Sequence, residues 1–266
     1  MDLGIQMFGC MEIFLENPKK FFDCVSKIGY THIEPCIWFG ETMHPDAAMK
    51  FHFMTPSEAE NYIAQMKCFG LSCNSVHAFG DIVSSIEEVT NFLSTNGIEN
   101  VAINGLRSNL LEQFEEFQAK VQLIANHLEN VNAKLWIHNG FAEVSTKVNG
   151  KSFLEAVLEQ CNGKLGVQLD AGWALYGGEN PIVLLEKLRP YLCSIHFKDI
   201  KKEYTNLPFQ EVQTCLGDGC LDVESIYQFA KQCGVSILVD QDYSDNDLIN
   251  DLSRSYKLLH SMEDKV

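Results

Sequence analysis

Glu34, His77, Asn104, His138, Asp170, His196 and Asp240 share a position in the sequence: each lies at the end of a short apolar run. Carboxylates with one or two imidazoles are donors of intermediate hardness and suit Mn, Co, Zn or Mg. A dication held by such a set can polarise a carbonyl and stabilise an enediolate. Carboxylates beside it can take up and return the proton. Each residue taken alone also has a plain structural explanation. Asp and Asn are common where a strand stops. His196 can be a core histidine, and Asp170 can cap the helix that follows it. Trp173 can be a platform for a sugar face or simple packing. Lys198 can contact a substrate anion or be a solvated loop lysine. Glu34, followed by Pro35, can contact substrate or pair with a basic residue. Asp240 and Asp242 alternate, so both can face one side, or one of them only turns the chain. Asp199 can support a ligand from behind. The whole ring is harder to explain that way than any one member.

A ring needs elements to hold it. Strands are predicted at 3–8, 31–35, 72–77, 99–103, 133–138, 165–170, 192–197 and 235–240. Amphipathic helical segments are predicted at 17–28, 57–68, 84–95, 109–130, 152–161, 181–188, 222–232 and 245–261. Asn17-Pro18 and Asn180-Pro181 each place a cap residue before a first-turn proline. Thr55-Pro56-Ser57 opens another helix, and Gly29, Gly70, Gly97, Gly163 and Gly234 follow helices where a left-handed cap is favoured. Eight strand–helix repeats in 266 residues imply a single α/β domain spanning 1–266, a closed (β/α)8 TIM barrel. An open doubly wound sheet shares the alternation, but no Gly-x-Gly-x-x-Gly follows the first strand. In a barrel, the C-terminal strand ends form the mouth, so the seven residues above converge there. The longer loops, 36–56 and 199–221, would cover that mouth.

Composition narrows the partners. The net charge is −16, which repels a nucleic-acid backbone, so nucleic acid is not expected as a partner. No stretch approaches the apolar length needed to span a bilayer, and MDLGIQMFGC has no basic region or long apolar run, so no membrane partner or signal peptide is expected. The ten cysteines include no C-x-x-C pair, and several sit inside elements. That pattern fits a reducing cytoplasm better than a disulfide framework.

Several stretches, in their order along the chain, carry a resemblance. They are Gly4-Ile5-Gln6-Met7-Phe8, Gly29-Tyr30-Thr31-His32-Ile33-Glu34, Trp136-Ile137-His138-Asn139, Asp170-Ala171-Gly172-Trp173, His196-Phe197-Lys198-Asp199, Gly217-Asp218-Gly219-Cys220-Leu221-Asp222 and Val239-Asp240-Gln241-Asp242-Tyr243-Ser244. Together they resemble the sugar phosphate isomerase/epimerase superfamily, the xylose isomerase-like barrels, over nearly the whole chain. The resemblance implies a divalent metal held by Asp170, His196, Asp240 and Glu143, with His138 as the alternative to Glu143. It also implies Glu143 and Asp240 as the catalytic base and acid. Two positions depart from the family pattern. Asp240 stands where a glutamate is usual. The subgroup run His-Asn-His-x-x-Glu reads His138-Asn139-Gly140-Phe141-Ala142-Glu143 here.

Three functions follow. The first is a metal-dependent isomerase or epimerase of a sugar, sugar phosphate or related polyol, with Glu34, His77, His138, Trp173 and Lys198 binding a small polyhydroxy substrate. The second is an inosose-type dehydratase on the same scaffold. The third is a non-catalytic barrel whose metal site has decayed. Sequence leaves the substrate, the metal and the oligomeric state open.

Overall fold

The computed structural model describes residues 2–41, 53–104 and 114–263. The strands are β1 (Leu3–Gln6), β2 (His32–Glu34), β3 (Cys36–Phe39), β4 (Val76–Gly80), β5 (Asn100–Asn104), β6 (Lys134–His138), β7 (Gly166–Asp170), β8 (Leu192–Phe197) and β9 (Ser236–Val239). All pair in parallel, in the order β2-β1-β9-β8-β7-β6-β5-β4-β3. The two edges of this sheet are consecutive pieces of chain joined at Pro35, so they close it into a barrel. Proline has no N–H to give the ladder, yet its carbonyl still accepts from His77 N at 2.9 Å. β2 and β3 are thus one interrupted barrel strand, and the eight-stranded α/β barrel expected from the repeats is the fold observed.

Two expected boundaries move. The second strand continues past Pro35 through Phe39, where a loop was expected. The strand expected at 72–77 lies at Val76–Gly80, because Ser72 makes only an isolated bridge to His32. Both shifts carry residues inward: Glu34 and His77 lie within the barrel instead of at its rim. Residues 42–52 of the expected 36–56 loop, and 109–113 of the expected 109–130 helix, lie outside the described residues.

Alternation along the strands sorts the side chains. Ile195 and Phe197 join the apolar cluster shared with the helices, as do Ile5, Ile33, Val101, Ile137, Val167, Leu169, Ile237 and Val239. Gln6, Glu34, His77, Gln168, Ser194 and His196 are buried polar residues of the same strands. The helices begin where the caps were read. Asn17 and Asn180 accept first-turn N–H groups ahead of Pro18 and Pro181, and Thr55 forms a reciprocal cap with Glu58. Gly97 and Gly234 end their helices in the left-handed region, at φ +66° in each case.

Candidate metal centre

Parallel register brings the ring together. In the β7–β8 pair, Asp170 lies opposite His196. His138, at the end of β6, lies opposite Gln168, two residues before Asp170. Asp240 directly follows β9, and its N–H donates to the Phe197 carbonyl. Four buried side chains, His138, Asp170, His196 and Asp240, each offer one ligand atom, and these atoms lie within 4.8 Å of one another. His138 Nε2 stands 3.1 Å from His196 Nδ1 and 3.6 Å from Asp170 Oδ2. His196 Nδ1 stands 3.0 Å from Asp240 Oδ2. Donors about 2.1 Å from a tetrahedral ion lie about 3.4 Å apart, so the spacings match a small dication. The group also leaves Asp170 Oδ2 and Asp240 Oδ1 buried without hydrogen bonds among the described residues. Buried carboxylate oxygens in that state call for a cation. The residues present therefore fit a metal.

Two protein cations partly answer that demand. Lys198, 2% exposed, places Nζ 2.7 Å from Asp242 Oδ2, 3.1 Å from Asp240 Oδ2 and 3.6 Å from Asp170 Oδ2. Burial by itself would lower its pKa, but the surrounding aspartates raise it. His196 is held between Asp240 and Glu34. Burial works against its charged form, yet the two carboxylates prevail and raise its pKa to about 10. Glu34 is also fully buried, which favours protonation. His196, with further help from His77 and Ser75, reverses that and holds it at about 2. Asp240 is held well below the usual carboxylate range by Lys198 and His196, despite burial. The same burial, with Asp240 nearby, pushes Asp242 up to about 6 even though Lys198 opposes the rise. His77 and His138 are lowered, His77 to about 3, by burial above all.

Above the cluster opens a cavity of about 560 Å³. His77, His138, Glu143, Lys198, Asp240 and Asp242 line its polar side, with Gln6, Asn104 and Gln213. Phe8, Phe79, Phe141, Trp173 and Tyr243 supply aromatic surface.

No protein-family model matches the sequence, and no curated protein matches it. Solved structures do. A sugar phosphate isomerase/epimerase from Parabacteroides distasonis ATCC 8503 is 15% identical, with a TM-score of 0.78 over 97% of this chain and 94% of that one. The probable 3-DHS dehydratase AsbF from Bacillus anthracis, involved in petrobactin synthesis, is 13% identical, with a TM-score of 0.71 over 98% and 99%. The IOLI protein, solved with a bound zinc atom, is 14% identical, with a TM-score of 0.65 over 99% and 96%. This chain has the xylose isomerase-like barrel fold.

Asp170, His196 and Asp240 come together in the mouth of this barrel, and His138 is the fourth member of the group. Glu143 is buried and lines the cavity, with Oε2 accepting from Gly140 N at 2.9 Å. It is not among the residues whose ligand atoms converge. Asp170 also caps the next helix, Oδ1 accepting from Trp173 N at 2.7 Å, so its plain explanation and its place in the group hold together. Trp173 is at the cavity wall, its ring 4.8 Å from Lys198 Nζ. Lys198 is buried, not a solvated loop residue. Glu34 is completely buried beneath His196 and is not part of the cavity wall. Asp199 does not support the ligands. Its carboxylate accepts from the backbone N–H groups of Ile200, Gly217, Gly219 and Leu221, fixing the glycine loop. Gln6, Gln168 and Gln213 were missed in the sequence. For Gln6 and Gln168 the available signal was a glutamine in an otherwise apolar strand, which the strand-end criterion passes over, while Gln213 lies in a short loop strand with no such signal. Among the described residues, no helix is long and apolar enough to cross a membrane.

Proposed function

We propose that this protein is a metal-dependent isomerase or epimerase of a small polyhydroxy carbonyl compound, working by proton transfer beside the carbonyl. The observation that carries this reading is the convergence of four ligand atoms under a cavity with carboxylates on its wall. Asp170, His196, Asp240 and His138 would hold the dication. When bound, it would supply Lewis acidity toward a carbonyl oxygen. Glu143, on the cavity wall, is assigned to proton abstraction, and Asp240, whose Oδ1 has no hydrogen bond among the described residues, to proton return. Lys198 offers a donor to hydroxyls, His77 and its partner Asn104 line the polar wall, and Trp173 offers an apolar face to a ring. The likeness to a sugar phosphate isomerase/epimerase supports the reaction class, as the zinc of the IOLI protein supports the metal.

One observation favours a second reading. Dehydration needs an acid for the departing hydroxyl, and Asp242, pushed up to about 6, is a protonatable group on the same wall. The likeness to a probable dehydratase agrees with it. Loss of water from a keto-polyol, read by mass, separates the two reactions.

The test is metal analysis of protein purified without chelators, beside an Asp170→Ala, His196→Ala variant. Near-stoichiometric Mn, Co, Zn or Mg that disappears in the variant supports the site and justifies screening keto-sugars. Absence of metal in both, with no uptake on addition, leaves a non-catalytic barrel as the better account.

A further inference from the structure

Glu34 is buried where it cannot touch a substrate, yet its two oxygens face different groups. Oε2 accepts from Ser75 Oγ at 2.5 Å and from Gln168 Nε2 at 2.7 Å, which fixes the carboxylate plane. Oε1 stands 3.3 Å from His196 Nε2 as an ion pair, and neither atom has a hydrogen bond among the described residues. Among the described residues, the one other ring nitrogen within 4 Å of Oε1 is His77 Nδ1, at 3.9 Å. His77 directs its Nε2 at Asn104 Oδ1, 2.9 Å away. A neutral ring that donates from Nε2 carries no proton on Nδ1. The ring proton that faces Glu34 Oε1 is therefore the one on His196 Nε2. The other nitrogen of His196, Nδ1, is the one that meets His138 Nε2 and Asp240 Oδ2.

We infer that Glu34 is a positioning residue that keeps the proton of His196 on Nε2 and so presents a bare Nδ1 to the metal. This inference rests on the metal reading above. A carboxylate behind a ligating imidazole fixes its tautomer and ring orientation, and its loss typically weakens metal binding by about 10- to 100-fold.

Glu34→Gln tests the idea with almost no change in shape. Ser75 and Gln168 both donate toward Oε2, so the new amide oxygen is held on that side and its NH2 turns to His196. An N–H aimed at Nε2 makes that nitrogen an acceptor and shifts the ring proton to Nδ1, against the metal. Co2+ titration of metal-free protein, followed by its visible absorption, reads both affinity and ligand set. The expected result is 10- to 100-fold weaker binding in Glu34→Gln and an altered absorption band. Ser75→Ala, which removes a donor from Oε2 and leaves Oε1 in place, is expected to bind within a few-fold of wild type. Wild-type affinity in Glu34→Gln, or equal losses in both variants, overturns the inference and leaves the metal site standing. Failure of the wild type to take Co2+ overturns the metal reading, and the inference falls with it. A measurement on the wild type removes any dependence on the variant folding. In the Zn2+-loaded protein, the 15N spectrum of His196 is expected to show the proton on Nε2; a proton on Nδ1 overturns the inference.

Discussion

His196 Nδ1 stands 3.0 Å from Asp240 Oδ2, with both side chains buried at the base of the cavity. In metal-free protein this contact favours a charged imidazolium, and a pH dependence follows. The folded pKa of His196, about 10, lies above its unfolded value near 6.5, so the stability it contributes is complete below pH 6.5 and is lost toward pH 10. His77 behaves oppositely. Its folded value near 3 means that the unfolded chain binds the proton first, so stability falls as pH drops from 6.5 toward 3. Asp242, pushed up to about 6, offsets part of that fall between pH 4 and 6. Metal-free protein is expected to be most stable near pH 6.5, with losses on the order of a few kcal/mol on either side. Thermal melts from pH 4 to 10 check this. A dication that replaces the proton on His196 is expected to flatten the alkaline side, and an unchanged slope with metal would contradict the assignment.

Lys198 is the ammonium around which Asp170, Asp240 and Asp242 gather. Lys198→Met keeps much of the buried stem and removes the charge. Loss of one partner from a buried ion pair costs about 3–5 kcal/mol, so the metal-free variant is expected to melt well below wild type. Removing a competing cation also leaves the carboxylates more available. The variant is expected to bind Mn2+ more tightly and to recover a larger share of its stability when Mn2+ is added. Calorimetric titration and paired melts measure both effects.

The cavity wall also depends on backbone clearance. A Cβ at Gly172 would come within 2.2 Å of the Lys198 carbonyl oxygen, a backbone atom that cannot swing aside. Gly172→Ala is expected to force apart the start of the helix Ala171–Tyr176 and the end of β8. Since Asp170 and His196 sit on these two elements, metal affinity should fall at least tenfold in protein that still shows a barrel-like circular dichroism spectrum. Wild-type affinity would show that the clash relaxes elsewhere.

Asp199 is expected to affect stability in preference to chemistry. Four backbone N–H groups meet its carboxylate, so Asp199→Asn turns an NH2 toward donors. A cost of about 1–3 kcal/mol is expected for the buried donors left without acceptors. Denaturant melts measure it, and Co2+ affinity in the folded fraction should remain close to wild type.

Much of this was legible without coordinates, for local reasons. Helix starts at Asn17, Thr55 and Asn180 are set by residues within one turn, and they appear where read. The alternation through Ser194, Ile195, His196, Phe197 and Lys198 assigns faces before any partner strand is known. Six of the expected strands fall within two residues of their places, and the second runs on past Pro35. The strand expected at 72–77 was displaced because a short apolar run does not reveal which part will find a neighbour.

What the sequence by itself determined was the barrel repeat and the set of polar residues near its strand ends, since both follow from periodicity along the chain. Tertiary structure alone decided their depth and company. Pro35 reads locally as a stop, but closure of the barrel carries the strand through it, which sinks Glu34 beneath His196. His138, rather than Glu143, joins the converging group because parallel register sets the end of β6 beside Gln168, on the same face of β7 as Asp170 two residues on, while Glu143 lies beyond the strand on a short helix. Lys198 is buried with its ammonium among Asp170 on one strand and Asp240 and Asp242 after another, and contacts between segments so far apart leave no periodic trace in the sequence.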